Sequence, residues 1–386
     1  MTLLFIHDHP FYKEKETIYS GGGLPRIVWE NYLPYFDEVF VYGRRSFNKK
    51  DKKVESSSKK VSFKLTKNYS NLKDVILKYT KIKKELKREI KNADIVLVRL
   101  PSILGFIGAY IAFKNGKKVI VEQVGNTSEA LKTHGSIVGK IAAPFFEIIN
   151  KHIVKKANYV SYVTINKLQN DYPSKVLTTS ISNVIINTIK VPSEIDFSKF
   201  ENKTVRIGVI GGFDTRYKGQ DVVLKAVSKL DQKNKNNIEL YFVGKGDGNW
   251  LVEKARQVSL KENIKFLGPK ESGDEIFNFL DTLSIYIQPS FTEGMPRALL
   301  EAMSIGCPVL GSTVGGIPDV VEPKHLHKPG DFKELSYQIE TFINDRSLMK
   351  SEALRSLEVV KPFQKNLLDK KRKEFYDQIV NDLQNA

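Results

Sequence analysis

Two carboxylates, Glu293 and Glu301, flank a helix start in IQPSFTEGMPRALLEAMSIGCPVLGSTVGGIPDVVEP, residues 287–323. A strand of buried type ends at Gln288, and a loop then presents Glu293 and Gly294. Pro296 stands near the first turn of the helix, where its missing N–H has no partner to lose. The spacing sets Glu293 at the loop mouth and Glu301 about two turns down the helix. The free N–H groups of Met295 to Ala298 point from the helix N-terminus, a place suited to a phosphate. The run Gly315, Gly316, Ile317, Pro318 and Asp319 forms a second candidate helix entrance nearby. Taken alone, Glu293 is equally a carboxylate complementing the helix dipole, and Glu301 a solvated helix residue. The joint pattern is what points to a ligand.

A second constellation is IGVIGGFDTRYKGQDVVLKAV, residues 207–227. A strand runs into Gly211 and Gly212, a loop carries Arg216 and Lys218, and Gly219 precedes a helix. Glycines let the backbone approach a ligand closely, and a paired Arg and Lys suit a diphosphate. A surface turn with solvated side chains is the alternative. The turn YFVGKGDG, with Gly244 and Gly246, is weak evidence by itself. In the N-terminal half, YSGGGLPRIVWE places Gly21, Gly22 and Gly23 after the first strand and ahead of a helix. No Cys/His cluster has metal-ligand spacing and no Asp-x-Asp sits in a suitable loop, so neither metal nor cofactor is expected.

These loops need elements to hold them. Strand-like runs at Leu3–His7, Glu38–Tyr42, Val61–Leu65, Ile95–Leu100, Lys118–Val124 and Tyr159–Thr164 alternate with helical patterns such as Asn71–Asn92 and Ser136–Ala157. The polar, unpatterned Val191–Lys203 reads as a linker. Beyond it the alternation restarts with strands at Val205–Ile210, Leu240–Val243, Ile264–Leu267, Ile285–Gln288 and Pro308–Gly311. Helices are predicted at Gln220–Leu230, Trp250–Lys261, Glu275–Leu283 and Pro296–Ile305. The fold class is therefore α/β: two doubly wound, Rossmann-like domains facing each other across a cleft, with ligands at the carboxyl ends of the strands. The expected domains are 1–190 and 191–360, followed by a charged amphipathic helix in 361–386.

The chain has 386 residues, 41% hydrophobic and 27% charged, a composition suited to folded domains. Residues 1–190 hold 33 Lys and Arg against 16 Asp and Glu, whereas residues 191–386 hold 28 against 28. The net charge of +17 thus belongs wholly to the first half. Such a field draws nucleic acid, an anionic leaflet or phosphorylated substrates, and charge alone does not choose among them. The lone Cys307 excludes an internal disulfide and suits a reducing compartment. No signal peptide pattern opens the chain, so a cytoplasmic location is expected. The apolar run Leu100–Phe113 falls short of the roughly 20 residues that span a bilayer; it reads as a core helix or, alternatively, as a shallow membrane-inserting segment.

On these motifs the sequence resembles the retaining glycosyltransferases of family 4, with the two-domain GT-B fold. Their Glu-x7-Glu signature stands here as EGMPRALLE, Glu293 to Glu301. The resemblance spans essentially the whole chain and is most marked over residues 204–323. It implies that Glu293 lies by the donor sugar, that Glu301 binds the nucleotide ribose, and that Gly294, Met295 and Pro296 belong to the donor site. It implies a lysine gripping the pyrophosphate, matched by Lys218–Gly219. The family arginine that follows the glycine is replaced by Phe213 after Gly212, and Arg216 is expected to take its role. Gly244 resembles the glycine turn beside the nucleotide, and Gly22 and Gly23 resemble the N-domain loop over the donor phosphates. The family often carries a histidine near the donor sugar; Asn126 stands near that spot, and His134 follows. YVTINKLQNDYPSK resembles a stretch in members that build bacterial surface polysaccharides.

The resemblance implies transfer of a sugar, with retention, from a nucleotide diphosphate donor, UDP favoured, to a saccharide or lipid-linked acceptor docked on the basic N-terminal domain. It also implies a terminal helix that crosses back onto that domain. The basic half suggests attachment to an anionic membrane surface at its inner face. A nucleotide-sugar 2-epimerase of the same fold is one alternative. A basic nucleic-acid-binding protein is the other, although no aromatic-basic strand or recognition helix supports it.

Overall fold

A computed structural model describes residues 1–48, 53–66, 72–133, 137–258, 260 and 264–385. The expected residues Asn71, His134, Ser136 and Lys261 lie outside the described residues.

The N-terminal domain is built on a nine-stranded sheet: β1 (Thr2–Glu14), β2 (Thr17–Ser20), β3 (Glu38–Ser46), β4 (Val54–Glu55), β5 (Val61–Thr66), β6 (Ile95–Leu100), β7 (Val119–Gln123), β8 (Tyr159–Tyr162) and β9 (Leu177–Ser180). Its parallel part runs in the order β5-β3-β1-β6-β7-β8-β9. All six residues of β6 are buried, as expected of a strand covered on both faces by crossover helices. Alternation of strand and helix gave this much from sequence. The first strand departs from expectation: β1 continues to Glu14, bends at a register shift between Ile6 and Pro10, and turns back into the antiparallel β2, with β4 beyond it. The glycines at 21–23 therefore follow a hairpin, not the first strand, and lead into a 3₁₀ turn, Arg26–Asn31, not an α-helix.

The C-terminal domain has a six-stranded parallel sheet: β10 (Val205–Ile210), β11 (Ile238–Val243), β12 (Ile264–Phe266), β13 (Ile285–Gln288), β14 (Val309–Ser312) and β15 (Leu326–His327), ordered β12-β11-β10-β13-β14-β15. Both domains thus reverse their winding at an internal pair, β1/β6 in the first and β10/β13 in the second. Loops diverge there and leave a crevice.

The segment read as a linker is packed instead. Ile195 and Phe200 join the C-terminal core, and the Lys199 ammonium donates to the Asp281 carbonyl at 2.9 Å. Its two 3₁₀ turns follow from the apolar residues spaced among the polar ones. The apolar run after Leu100 forms the helix Ile103–Lys114, with Leu104, Phe106, Ala109 and Ile111 in the N-terminal core. The Ser102 hydroxyl accepts from the Gly105 amide at 3.0 Å, and the Asp8 carboxylate takes the Ile103 and Leu104 amides. No helix among the described residues is long and apolar enough to cross a membrane. The chain returns to the first domain through the helix Lys365–Gln384, whose Phe375, Tyr376 and Ile379 pack into the cluster of Leu3, Phe5 and Trp29. Each such side chain contributes about 1.5–3 kcal/mol by burial.

Candidate active site

The loops after β10 and β13 bring together the two groups singled out in the C-terminal half. The Lys218 ammonium lies 2.6 Å from Glu293 Oε1. That oxygen also accepts from the Ser290 hydroxyl at 2.7 Å and the Gln288 amide at 2.9 Å. The Tyr286 hydroxyl donates to Gln288 Oε1 at 2.6 Å, so a chain of hydrogen bonds from inside the sheet fixes the carboxylate. Burial and the nearby Glu293 charge push the Tyr286 phenol well above its ordinary range, which keeps it a donor.

Backbone geometry makes this approach possible. Gly219 has φ +72°, and a side chain there would run into the Pro289 carbonyl; the Lys218 and Glu293 loops could not then close on each other. The Phe291 amide donates to the Tyr217 carbonyl at 2.8 Å and ties the two loops directly. Gly211, Gly212 and Gly244 pack backbone to backbone, with a Gly244 side chain excluded by the Gly211 carbonyl. The Gly246 turn is covered by the Asp214 carboxylate, which accepts from the Asp247 amide at 3.1 Å.

A cavity of about 310 Å³ opens between the domains beside this pair. Pro101, Val124 and Asn126, from the loops after β6 and β7, line one wall; Tyr217, Thr292, Glu293 and Gly294 line the other. It lies where the loops of both winding reversals meet. Pro296 caps the helix Arg297–Ser304 without a side-chain bond, leaving the first-turn amides free of any capping side chain. Gly294 approaches the other domain so closely that a β-carbon would sit 2.6 Å from the Val124 carbonyl oxygen.

Glu301 is not a solvated helix residue. It is 8% exposed, and burial raises its carboxyl above the ordinary range against the pull of Arg297. Met295 is buried in the core and packs its thioether against Gly316. Arg216 is exposed and does not join Lys218 on Glu293. Its guanidinium lies 5.3 Å over the Trp250 ring, whose indole N–H donates to the Phe213 carbonyl at 2.7 Å. The cause is local: Arg216–Lys218 is a 3₁₀ turn, on which residues two apart point in different directions. Phe213, at the place of the family arginine, is buried against Phe266. Gly23 stands by His9, Gly22 has a positive φ with open space beside it, and neither is among the residues lining the cavity. His134 lies outside the described residues. Asn126 Oδ1 accepts from the Glu129 amide at 3.0 Å, while its Nδ2 donates to Asp171 at 2.9 Å.

The sequence did not single out Gln288, Ser290 or Tyr286. A glutamine ending a wholly buried strand was the available signal, since buried amides are retained where they have partners. Nor did it assign Asp319, whose carboxylate accepts from the Ile165, Asn166 and Lys167 amides of the other domain at 2.7–3.0 Å. These amides belong to the stretch read only as a family echo. Among the described residues, no group of three or more His, Cys, Asp or Glu is gathered as a metal site would gather them.

Comparison with known proteins bears on the family and the fold. Residues 192–355 match the family model described as glycosyl transferases group 1. The chain is 36% identical to Protein CapJ of Staphylococcus aureus over 387 aligned positions, covering 99% of this chain and 97% of that protein. It is 27% identical over 164 positions to the capsular polysaccharide biosynthesis glycosyltransferase CapM of the same organism, covering 40% of this chain and 43% of that one. Among solved structures, HepE of Anabaena in complex with UDP superposes with a TM-score of 0.65 over the full length of both chains at 16% identity, which speaks for the fold alone. The fold is GT-B, and the chain is a glycosyltransferase that belongs to the glycosyl transferases group 1 family.

Proposed function

We propose that this glycosyltransferase moves a sugar from a nucleoside diphosphate donor to a saccharide acceptor in cell-surface polysaccharide synthesis, as a retaining, metal-independent enzyme of family 4. The observation that carries the reading is the Lys218–Glu293 pair at the interdomain cavity, 2.6 Å apart beside a helix N-terminus. An ammonium has three donors, so Lys218 can hold Glu293 and still present hydrogens to a departing diphosphate. Together with the free amides of the helix it offers preorganised positive charge where negative charge develops, without a metal. Glu293, held by three donors, is placed to accept from sugar hydroxyls, and the buried Glu301 to meet the ribose.

UDP is the favoured carrier; HepE is described in complexes with UDP and with UDP-glucose. The acceptor docks on the N-terminal wall of the cavity and is lipid-linked, consistent with the basic charge of that domain. The relative CapM, a capsular polysaccharide biosynthesis glycosyltransferase, supports a role in capsular polysaccharide assembly. The enzyme then works at the cytoplasmic face of the membrane.

The test is a thermal-shift panel of UDP, GDP, ADP and CMP, with and without chelator, followed by product analysis. Stabilisation by one diphosphate, unchanged by chelator, supports the donor site. Conversion of the donor sugar without any acceptor would instead identify an epimerase. No shift with any nucleotide would remove the basis for the roles of Lys218, Glu293 and Glu301.

A further inference from the structure

The helix Ile137–Lys156 packs one apolar face, with Phe146, Ile149, Ile153 and Val154, on the core, and turns a second apolar stripe to solvent. Ile137, Ile141, Phe145 and Ile148 are 75, 76, 63 and 68% exposed, and the adjoining Val138 is 58% exposed. Their spacing of three and four residues puts them on one stripe, about 16 Å long. The inward face carries Ala143, Asn150, Ile153 and Val154, and Asn150 donates to the Thr127 hydroxyl at 2.8 Å. The helix therefore cannot be rotated to hide the stripe without burying charge and breaking that bond. Single exposed apolar residues need no explanation; five on one ridge do.

Charge around the ridge has one sign. Lys140 lies beside it, and Lys151, Lys155 and Lys156 continue the exposed face toward the C-terminus. The one acid of the helix, Glu147, is turned inward, where it accepts from the Tyr172 hydroxyl at 2.8 Å and pairs with Lys151 at 3.5 Å. Next to the basic end, the Lys114 ammonium stands 4.6 Å over the half-exposed Tyr110 ring, and Lys156 stands 5.1 Å over Phe113. An apolar ridge bordered by lysines and a tyrosine matches the boundary between acyl chains and headgroups. A second copy of this chain would bring two basic faces together, which argues against self-association.

Place in the fold adds a reason for such a surface. Thr133 lines the same cavity as Glu293, and the ridge begins four residues later at Ile137, within about 14 Å along the chain.

We propose that the ridge Ile137–Ile148 inserts into an anionic lipid bilayer, with Lys151, Lys155 and Lys156 on the headgroups, and so sets the N-terminal wall of the cavity at the membrane surface. This deepens the reading of a lipid-linked acceptor given above and assigns the contact to one helix. The apolar run after Leu100, which the sequence offers as a core helix or a shallow inserting segment, packs its Leu104, Phe106, Ala109 and Ile111 into the core and adds only Tyr110 and Lys114 to the border of the ridge.

The test is co-sedimentation of the full chain with phosphatidylcholine vesicles, with and without phosphatidylglycerol at about one third of the lipid. The wild type is expected to bind the anionic vesicles, and Ile141→Glu with Phe145→Glu to weaken binding by at least about tenfold. Melting temperature and the UDP-induced shift report whether the variant keeps its fold and donor site. As a second readout, the indole introduced by Phe145→Trp is expected to shift its emission to the blue on anionic vesicles, relative to wild type under the same conditions. Wild type that stays in the supernatant, a double variant that binds as well as wild type, or an emission from the Phe145→Trp variant that does not move would each overturn the proposal. So would a wild-type dimer that the double variant dissolves, which would give the ridge to a second copy; capture by an acidic protein without vesicle binding would do the same. Because vesicle binding is measured without donor, its failure leaves the donor site standing, and failure of the UDP shift leaves the ridge standing.

Discussion

The Asp319 carboxylate stands 2.7 Å from the Ile165 backbone nitrogen of the opposite domain, and it takes the next two amides as well. One side chain thus caps three donors at the start of the helix Lys167–Asp171, across the cleft that holds Lys218 and Glu293. Burial raises the Asp319 carboxyl above its ordinary range, and the three amides and Lys167 oppose that rise. Asp319→Ala leaves the amides unpaired at an interdomain contact, a cost of about 1–3 kcal/mol. The expected result is a melting temperature lower by several degrees and a KM for the donor raised about tenfold, with Asp319→Asn intermediate. Unchanged kinetics in the alanine variant would mean that this contact does not hold the closed arrangement.

Lys218 and Glu293 are hydrogen-bonded to one another, so their variants should not add. Lys218→Ala removes the cation proposed to meet the departing diphosphate; kcat/KM is expected to fall about 10²–10³-fold. Glu293→Gln keeps the shape and an acceptor oxygen for Lys218, Gln288 and Ser290, but removes the negative charge and replaces Oε2 by a donor; a fall of about 10²-fold in kcat is expected, with little change in folding. The double variant should be scarcely worse than Lys218→Ala. Steady-state kinetics of the three proteins check this, and strictly additive losses would show two independent roles.

How much of this was readable follows from the range of the interactions. Strand and helix alternation is local, so both doubly wound sheets were readable, and the reversal at β10/β13 put the loops of Lys218 and Glu293 side by side. The hairpin of β1 and β2 was hidden because its turn falls at Lys15 and Glu16, where Lys15 takes a positive φ with no glycine or asparagine to announce it. The direction of the Arg216 side chain, over Trp250, was not readable because spacing counts residues, whereas a 3₁₀ turn sets directions. The contact of Asp319 with Ile165 joins residues 154 apart in the chain, and nothing near either one announces it. The exposed ridge after Ile137 was read simply as a helix. Its apolar period was visible, but which face met the core was not.

Gly294 offers a steric test of the closed cleft. A β-carbon there would lie 2.6 Å from the Val124 carbonyl oxygen, a backbone atom that cannot swing aside. Gly294→Ala is expected to hold the domains apart while leaving each core intact. Donor affinity should fall about tenfold or more and the radius of gyration should rise, with a melting temperature within a few degrees of wild type. A variant with wild-type donor affinity would show that the cleft accommodates the methyl group.

Glu129 supplies the pH dependence. Its helix, Thr127–Thr133, lies on the N-terminal wall, and its carboxyl faces the Gly315 amide of the other domain, with Oε2 buried and unpartnered. Burial lifts the carboxyl to about 7; Lys167 pulls it down, while Asp171 and Glu147 push it up. A carboxyl with a folded value above its unfolded value near 4.5 binds more protons when folded at intermediate pH. Stability from this group is therefore fully present below about pH 4.5 and is lost as pH rises through about 7. The amount is on the order of 1–3 kcal/mol, since each pH unit separating the folded from the unfolded value is worth about 1.4 kcal/mol. Glu129→Gln should keep the neutral form's shape at every pH. It is expected to melt higher than wild type at pH 8 and nearly level with it at pH 5, so that the difference between the two melting curves titrates near neutrality. If that difference is flat across the range, the Glu129 carboxylate is already accommodated as a charge, and the Gly315 amide with Lys167 suffices to hold it.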